Sequence, residues 1–370
     1  MRNLLSKRYK NDNRESFYLT EKQISARDTI KKKLKENFYE TEKINCPCCD
    51  IKDYKILSQK DTYGLPVQVV LCKECGLVYN NPCLSGKSLA PFYDGEYKNL
   101  DRVFPEIQDY FQLEKEKGEI IESFLKDNNL LEQIKNKVIV EIGCGAGGVL
   151  KHFSEKGFKV LGCDLSSQNV NYARDTLSLE VYHSDIDVLE KVISEKKLDI
   201  GLVIYEQVFE HLPNPRNELN KIKKIINDDT LLYIGVPGLR NIGNHYQSNF
   251  LRYLQLPHLM HFDLQSLTNL FGISEFSLVI GDQVIQAIFK LNKKAVPYKN
   301  GSNDLLVFLQ NLEKNYKQEQ VLKFLKYLPL NVFLFFGRYL KKGILNVPFL
   351  STSTKNKISK IIHFVRSKFP

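Results

Sequence analysis

The sequence predicts an α/β fold in which a sheet of parallel strands is covered by helices, with a small cysteine-rich module before it and a basic helical extension after it. Strand-like and helix-like runs alternate from residue 137 to residue 291, as they do in a parallel sheet with crossover helices. Five of the eight cysteines fall between Cys46 and Cys75. Residues 301 to 370 contain twelve lysines and arginines but only three acidic residues, so this segment carries +9 of the net charge of +10.

The character of the chain changes from one segment to the next. The first 45 residues are rich in Lys and Glu, and their weak helical periodicity predicts an exposed helical or partly disordered lead-in. The run FPEIQDYFQLEKEKGEIIESFLKD has apolar residues at helical spacing and predicts a helix that caps the next domain. The strand-like runs that follow are KVIVEIG, FKVLGCD, LEVYHSD, LDIGLVIYE, TLLYIGVPG, FSLVIGD and QAIFKL.

Bulk composition favours a globular protein of the cytoplasm. The chain is 43% hydrophobic, and no secretory leader pattern opens it at Met1. The cysteines do not follow the pattern of a small secreted scaffold, so we expect a reducing compartment. The apolar stretch LPLNVFLFFG is shorter than the roughly 20 residues that a bilayer span requires.

The glycine-rich run VIVEIGCGAGGVL predicts a strand, a tight turn and a helix that together form a ligand site. Gly143, Gly145 and Gly148 satisfy G-x-G-x-x-G, a spacing that alone would admit a dinucleotide cofactor equally well. Such a turn brings backbone N–H groups close to a ligand. Glu141, two residues before Gly143, would repel a pyrophosphate and suits a ligand with a positive end. Asp164 closes the next strand, where a carboxylate can accept hydrogen bonds from both ribose hydroxyls.

Further motifs occur in the same order as in a known family. Asp185 follows the third strand, LDIGLVIYEQVFEHLPNP follows the fourth, and LLYIGVPG forms the fifth. With these motifs, residues 137 to 290 resemble the class I S-adenosylmethionine-dependent methyltransferases. The resemblance implies a Rossmann-like, seven-stranded methyltransferase domain with S-adenosyl-L-methionine as cofactor. The alternative is a doubly wound domain whose glycine turn binds another nucleotide, or nothing.

The resemblance also implies which residues contact the cofactor. Glu141 and the turn of Gly143, Cys144, Gly145 and Gly147 would contact its methionine part. The remaining expected contacts are Asp164 with Leu165 at the ribose, Asp185 with Ile186 at the adenine, and Glu206 with Gln207 on the floor of the site.

Two C-x-x-C pairs in the cysteine-rich module predict a metal site. Cys46 and Cys49 form the first pair, Cys72 and Cys75 form the second, and twenty-two residues separate them. Four thiolates can bind Zn²⁺ tetrahedrally and leave no open coordination position, so we expect a structural zinc ion. Cys48 could replace either neighbour in the first pair. A redox-active dithiol is the alternative interpretation.

These observations divide the chain into segments of different kinds. The expected order is a polar helical lead-in at 1–45, a zinc-binding module at 46–88, a helical cap or linker at 89–136, the methyltransferase domain at 137–295 and a basic amphipathic helical extension at 296–370.

A zinc segment before such a domain resembles the subgroup found among sugar C-methyltransferases and methyltransferases of surface-glycan or natural-product pathways. The motif GLVYNNP followed by FYDGEYKNLDR matches that subgroup. The resemblance implies that Tyr93 and Tyr97 reach toward the cofactor or the substrate. Two half-buried packing tyrosines are the alternative.

Histidines between the fifth strand and the next helix are candidates for proton transfer. The run LPHLMHFDLQSL lies where the subgroup carries a His-containing substrate motif. We predict His261 as general base, assisted by His258 and Tyr253, in O- or C-methyl transfer to a small-molecule or sugar acceptor. A histidine at a helix start, satisfied by the backbone, is the alternative. We expect His211, in EHLP, to order the loop on the cofactor side rather than to move protons.

The basic extension raises the question of partners. It could be a helical cap, a docking arm for a partner, or an anchor to anionic lipid at the inner membrane face. Nucleic acid is not expected, because the charge is confined to this extension. An RNA methyltransferase with a zinc ribbon and a non-catalytic cofactor-binding protein remain alternative functions, and the oligomeric state stays open.

Overall fold

The computed structural model describes residues 4–100 and 106–326. The helices of these residues are α1 Glu21–Lys35, α2 Gly86–Phe92, α3 Lys98–Leu100, α4 Ile107–Asp127, α5 Gly148–Glu155, α6 Ser167–Asn171, α7 Ile186–Lys196, α8 Pro215–Ile225, α9 Ile242–His245, α10 Phe250–Tyr253, α11 Leu264–Ile273 and α12 Ser302–Lys326. The strands are β1 Thr41–Glu42, β2 Tyr54–Ser58, β3 Val69–Cys72, β4 Val78–Asn80, β5 Cys83–Leu84, β6 Val138–Ile142, β7 Lys159–Asp164, β8 Val181–His183, β9 Ile200–Glu206, β10 Leu231–Gly235, β11 Met260–His261, β12 Phe276–Gly281 and β13 Gln286–Leu291.

The main sheet has seven strands in the order β12-β13-β10-β9-β6-β7-β8, and each of the seven predicted runs forms one of them. Strands β8, β7, β6, β9 and β10 are parallel to one another. The central strands β6 and β10 are buried at every position. Their continuous apolar sequence is typical of a parallel sheet that is covered by helices on both faces.

One edge of the sheet differs from the prediction of parallel strands alone. Strand β13 is antiparallel to both β10 and β12, so the sheet is mixed. Four residues, 282–285, connect β12 to β13, whereas a parallel crossover needs a dozen or more. The short connection therefore forces a hairpin at this edge.

Helix α4 covers the sheet next to the glycine-rich turn, as the capping prediction requires. It packs against α5 at two glycines: a Cβ atom on Gly148 would lie 2.4 Å from the backbone oxygen of Phe111, and one on Gly118 would lie 2.7 Å from the Cβ atom of His152. The ring of His152 also hydrogen bonds to Glu122 at 2.8 Å. Residues without a Cβ atom thus let the two helices approach closely enough to bring α4 over the turn.

The cysteine-rich module is joined to the α/β domain by a shared sheet. The order of this sheet is β11-β4-β3-β2, and its strand β11 lies about 180 residues after β4 in the chain, with Met260 opposite Tyr79. The side chain of Asn80 donates to the carbonyl oxygens of Leu256 and His258 at 3.1 and 3.0 Å. Hydrogen bonds therefore cross the predicted boundary between the two segments.

The lead-in forms the predicted helix α1 and is mostly exposed, but some of its residues pack against the rest of the chain. Tyr9 and Ile30 are fully buried. The hydroxyl of Tyr9 donates to Glu313 of α12 at 2.9 Å, and Arg8 pairs with the same carboxylate at 2.7 Å. These contacts join the lead-in to the first part of the predicted extension, which packs as a helical cap. Residues 327–370 of that extension lie outside the described residues.

None of the described helices is both long enough and apolar enough to span a membrane.

A buried carboxylate gives a direct test of how the module is held. Asp61 is fully buried and accepts hydrogen bonds from the backbone N–H groups of Tyr63, Leu65 and Leu256 at 3.0, 2.9 and 3.1 Å. We expect Asp61→Ala to lower the free energy of unfolding by about 3 kcal/mol or more, since each buried N–H left without a partner costs about 1–3 kcal/mol. Urea denaturation measures the loss.

The control is Asp53→Ala, which removes an exposed partner of Lys73 and should cost about 1 kcal/mol or less. Equal effects of the two substitutions would contradict the role assigned to Asp61.

Candidate functional site

The predicted cofactor residues lie together at the carboxyl edge of the parallel strands. Glu141 is near the end of β6, Asp164 ends β7 and Glu206 ends β9. Asp185 follows β8 and begins the turn into α7. Ligands of open α/β sheets bind at this edge, so the topology collects in one place residues that are far apart in the chain.

The glycine-rich turn differs from the prediction in the groups that it offers. Gly143 and Cys144 both donate their N–H groups to the carbonyl oxygen of Cys163, at 2.8 and 3.0 Å. Gly145 donates to Asp164 at 2.9 Å, and Gly147 donates to the carbonyl oxygen of Cys144 at 2.9 Å. The N–H groups of these four residues are therefore already hydrogen bonded within the protein, which the sequence did not predict.

Carboxylates surround the turn. Glu141 is 3% exposed, and its Oε2 atom has no hydrogen-bond partner among the described residues. Burial, together with the charges of Glu114 and Glu206, raises the pKa of Glu141 well above its usual value. Glu114 lies against the turn and accepts from the N–H of Gly148 at 3.3 Å. When these carboxyl groups are ionised, they would repel a phosphate at the start of α5. A cationic ligand would be attracted by them and would favour their ionised form.

One face of α4 contributes residues that sequence reasoning missed. Tyr110, Glu114 and Lys117 share that face, because they are spaced four and three residues apart. Glu114 is buried, its pKa is raised to about 8 by burial, and the hydroxyl of Tyr110 donates to it. Lys117 pairs with Glu206 at 3.4 Å. The sequence does contain a sign that Glu114 is buried. It falls on the same helical face as the buried residues of α4, which are Phe111, Gly118, Ile121 and Leu125.

Asp164 and Leu165, the residues expected at the ribose, lie at the carboxyl end of β7. The carboxylate of Asp164 accepts from the N–H groups of Gly145 and Ser166 at 2.9 and 2.7 Å. Both bonds fix its orientation and leave lone pairs for a ligand, since a carboxylate has about four acceptor sites. Leu165 beside it is 73% exposed, an unusual state for a leucine at a buried edge.

Three other predicted contacts are constrained by packing. Asp185 caps α7 by accepting from the N–H of Asp187 at 3.1 Å. The side chain of Ile186 is 1% exposed and belongs to the main core, so at the expected adenine site it can offer a ligand only its backbone. The thiol of Cys144 is likewise buried, among Leu150 and Val170.

Glu206 and Gln207 line a cavity of about 460 Å³, consistent with the predicted floor. Gly235, at the end of β10, lies beside Glu206 of β9. A Cβ atom at Gly235 would be 1.7 Å from the carboxylate of Glu206. The cavity is also lined by Lys117, Tyr233, Asn241, His245, Tyr246 and Arg252, among others. The predicted catalytic residues Tyr253, His258 and His261 are not among the described residues that line this cavity.

Those three residues are instead buried near one another, and the half-buried Tyr93 and Tyr97 lie close to them, Tyr93 being linked through His211. The ring of Tyr253 lies 5.4 Å from that of His261, and His258 lies 6.3 Å from His261. Tyr93 and Tyr97 are in edge contact at 5.1 Å. The hydroxyl of Tyr253 donates to the carbonyl oxygen of Pro237, a cavity residue, at 2.7 Å. The cluster thus lies behind the cavity wall.

His261 is held in one tautomer. Its Nε2 atom lies 3.4 Å from Oδ1 of Asn80, whose amide group donates to two carbonyl oxygens. Oδ1 must therefore accept, so Nε2 carries the proton and Nδ1 keeps a lone pair. Nδ1 is buried without a partner in the described structure. Burial lowers the pKa of His261 to about 3, which keeps the ring neutral.

His211 and Glu210 lie next to this cluster. Tyr93 contacts Nδ1 of His211 at 2.7 Å, and the rings of His211 and His258 lie 4.8 Å apart. Glu210 is 2% exposed, and burial together with the charge of Glu206 raises its pKa to about 8. Sequence reasoning did not single out Glu210.

The four predicted zinc ligands are close together. The Sγ atoms of Cys46, Cys49, Cys72 and Cys75 all lie within 4.8 Å of one another. Two of the separations are 3.4 Å (Cys46 to Cys75) and 3.5 Å (Cys49 to Cys72). Four sulfurs at about 2.3 Å from a zinc ion would be about 3.8 Å apart. The donor set and its spacing therefore fit the ion, and Cys48 is not a member of this group.

Comparison with known proteins matches residues 112–279 to a family described as a methyltransferase domain. A ubiquinone biosynthesis O-methyltransferase of Glaesserella parasuis serovar 5 (strain SH0165) is 27% identical over 115 residues, which cover 29% of this chain. The match spans about half (48%) of the length of that relative.

Two solved structures resemble the chain over part of its length. A SAM-dependent methyltransferase from Archaeoglobus fulgidus is 19% identical, with a TM-score of 0.36, over 56% of this chain and 92% of that one. A SAM-dependent methyltransferase from Bacteroides fragilis, in complex with S-adenosyl-L-homocysteine, is 13% identical, with a TM-score of 0.32, over 44% of this chain and 76% of that one. Both TM-scores are below 0.5, so neither likeness carries a conclusion about activity. The family match covers a stretch of the chain that includes the glycine-rich turn.

Proposed function

We propose that the chain is a methyltransferase that uses S-adenosyl-L-methionine and transfers its methyl group to a small-molecule or sugar acceptor. One observation supports this most strongly: Glu114, Glu141 and Asp164 surround a glycine turn in which the N–H groups of Gly143, Cys144, Gly145, Gly147 and Gly148 are already hydrogen bonded. A pyrophosphate needs free N–H groups and positive potential. A sulfonium with an amino group is instead attracted by the carboxylates.

The cofactor would extend along the carboxyl edge from β6 to β8. Its methionine part would contact the turn and Glu141, and Asp164 would accept from its ribose hydroxyls. Leu165 would cover one face of the adenine, which accounts for the exposure of that side chain. The methyl group would then face the side of the site formed by Glu206, Gln207 and the cavity beside them.

The acceptor would lie between this cavity and the cluster behind it. Methyl transfer is an in-line displacement, so the protein supplies alignment and a base where a proton must leave. Nδ1 of the neutral His261 has a lone pair for that proton, and the bound acceptor would have to raise the low pKa of this buried ring for it to act as the base. Tyr93 and Tyr97 would orient the acceptor. Within this proposal we place the chain among enzymes of surface-glycan or natural-product pathways, on the resemblance of its cysteine-rich module and tyrosine motif.

We further propose that the four cysteines hold a structural zinc ion. The ion would fix β3 and the start of the module. Since β3 pairs with β4 and β4 pairs with β11, it would also support the segment that carries His258 and His261.

The basic extension is proposed to bring the enzyme to anionic lipid at the cytoplasmic membrane face. Sedimentation with vesicles measures this: binding should require anionic lipid and weaken with salt. Equal sedimentation with neutral vesicles would contradict the electrostatic attraction.

The activity itself is tested by intact-mass analysis of nucleotide-sugars and glycan precursors incubated with the zinc-loaded protein and the methyl donor. A gain of one methylene unit in one compound identifies the acceptor. Absence of transfer to any of these compounds and to RNA, with the cofactor bound, would favour a non-catalytic cofactor-binding protein.

We expect His261→Ala to lower turnover at least tenfold, because general base catalysis contributes about 10²- to 10⁴-fold, and to leave cofactor affinity unchanged. Transfer of labelled methyl and calorimetry with S-adenosyl-L-homocysteine measure the two effects. His152→Ala is the matched control, since it removes another buried imidazole, 4% exposed, away from the acceptor side. An unchanged rate in His261→Ala would remove this residue from the mechanism.

A further inference from the structure

Glu210, His211 and His258 converge on one point beside the cofactor site. Glu210 and His211 lie in a single helical turn, Phe209–His211, directly after β9, and His258 lies just before β11. One ligand atom from each of the three side chains lies within 4.8 Å of the other two. Two imidazoles and one carboxylate are a ligand set that divalent transition metal ions favour.

The carboxylate of Glu210 has no hydrogen-bond partner. It is 2% exposed, and neither of its oxygens has a partner among the described residues. A buried carboxylate without a partner is costly, and a bound cation is one of the few groups that can compensate for it. The neighbouring charge of Glu206, opposed by Lys117, makes the position more negative and more favourable for a cation.

The distance between His211 and Glu210 suits two ligands of one ion. Nδ1 of His211 lies 3.0 Å from the carbonyl oxygen of Pro257 and 2.7 Å from the hydroxyl of Tyr93. Nε2, on the other side of the ring, lies 3.8 Å from Oε1 of Glu210. That separation is too long for a hydrogen bond. Two ligands at about 2.1 Å from one ion are about 3–4 Å apart, and a metal-binding histidine usually donates its other N–H to a carbonyl or carboxylate.

The geometry points to a divalent transition metal ion bound by Glu210, His211 and His258. Three protein ligands leave coordination positions open, and a hydroxyl or carbonyl oxygen of the acceptor would fill one of them. The ion would lower the pKa of that hydroxyl, or polarise that carbonyl, next to the transferred methyl group. The proposed action of the ion on the acceptor rests on the proposed function. Binding of the ion by the three residues does not depend on it.

Cobalt(II) is the probe for this site. The full-length, zinc-loaded chain is incubated with Co²⁺ and desalted, and the bound cobalt is measured by elemental analysis and visible absorption. We expect one cobalt per chain with the d–d bands of nitrogen and oxygen ligands and without a thiolate charge-transfer band. Glu210→Gln and His258→Ala should each reduce uptake at least tenfold. His245→Ala, at an exposed histidine that lines the cavity, should leave uptake unchanged.

Affinity for S-adenosyl-L-homocysteine, measured on the same samples, shows that each variant is folded and separates the two claims. Cobalt uptake by Glu210→Gln equal to that of the unmodified chain would overturn the metal site, as would no uptake by the unmodified chain while the cofactor product still binds. Cobalt uptake without cofactor binding would instead overturn the proposed function.

Discussion

Asp164→Ala should weaken binding of S-adenosyl-L-homocysteine about 100-fold or more. The carboxylate would accept from two ribose hydroxyls, and hydrogen bonds to a charged group contribute about 1.5–3 kcal/mol each. The substitution also removes the acceptor for the N–H groups of Gly145 and Ser166, so it would loosen the glycine turn as well. Isothermal titration calorimetry measures the affinity.

Two control variants separate these contributions. Asp175→Ala removes an exposed aspartate paired with Arg174 and should not change affinity. Asp164→Asn keeps an acceptor for the turn but loses the charge, so it should bind with intermediate affinity. If Asp164→Ala bound the ligand as tightly as the unmodified chain, the ribose site would be assigned to the wrong residue.

Cys72→Ser should remove one zinc ion per chain and unfold the cysteine-rich module. Structural zinc contributes about 10–16 kcal/mol of apparent binding free energy in small zinc domains, far more than the module could recover from packing. Because Cys72 lies on β3 and the sheet continues through β4 to β11, the loss should reach His261. Zinc analysis and hydrogen exchange over residues 46–80 and 259–262 measure the two effects.

Cys48→Ser is the matched control, because Cys48 is buried nearby but is not in the group of four. It should keep its zinc and its protection from exchange. Loss of zinc in this variant, with retention in Cys72→Ser, would show that the ligand set is wrong.

Local sequence predicted the parts of the site that lie within single elements. The β6 strand, the glycine turn and Asp164 follow one another within 27 residues, and their order alone places them at one edge of a parallel sheet. The two cysteine pairs are also visible in the local sequence. Their spacing does not show whether Cys48 or one of its neighbours is a metal ligand. The structure decides this, because Cys48 is not in the group of four close sulfurs.

The remaining parts depend on long-range packing. Glu114 precedes β6 by more than twenty residues and reaches the turn because Gly118 and Gly148 let α4 approach α5. The antiparallel strand β13 follows from a four-residue connection that the alternation of strands and helices does not reveal. Contacts of Tyr9 with Glu313 join residues 304 apart in the chain, so the composition of the lead-in could not show that it packs against α12.

The central claim is that the carboxyl edge of the sheet binds an adenosyl sulfonium. Calorimetry of the full-length, zinc-loaded chain with S-adenosyl-L-methionine, S-adenosyl-L-homocysteine and a nicotinamide dinucleotide tests it most directly. The account predicts saturable binding of the first two at one site per chain and no binding of the dinucleotide. A folded chain that binds the dinucleotide, or that binds neither the methyl donor nor its product, would contradict it.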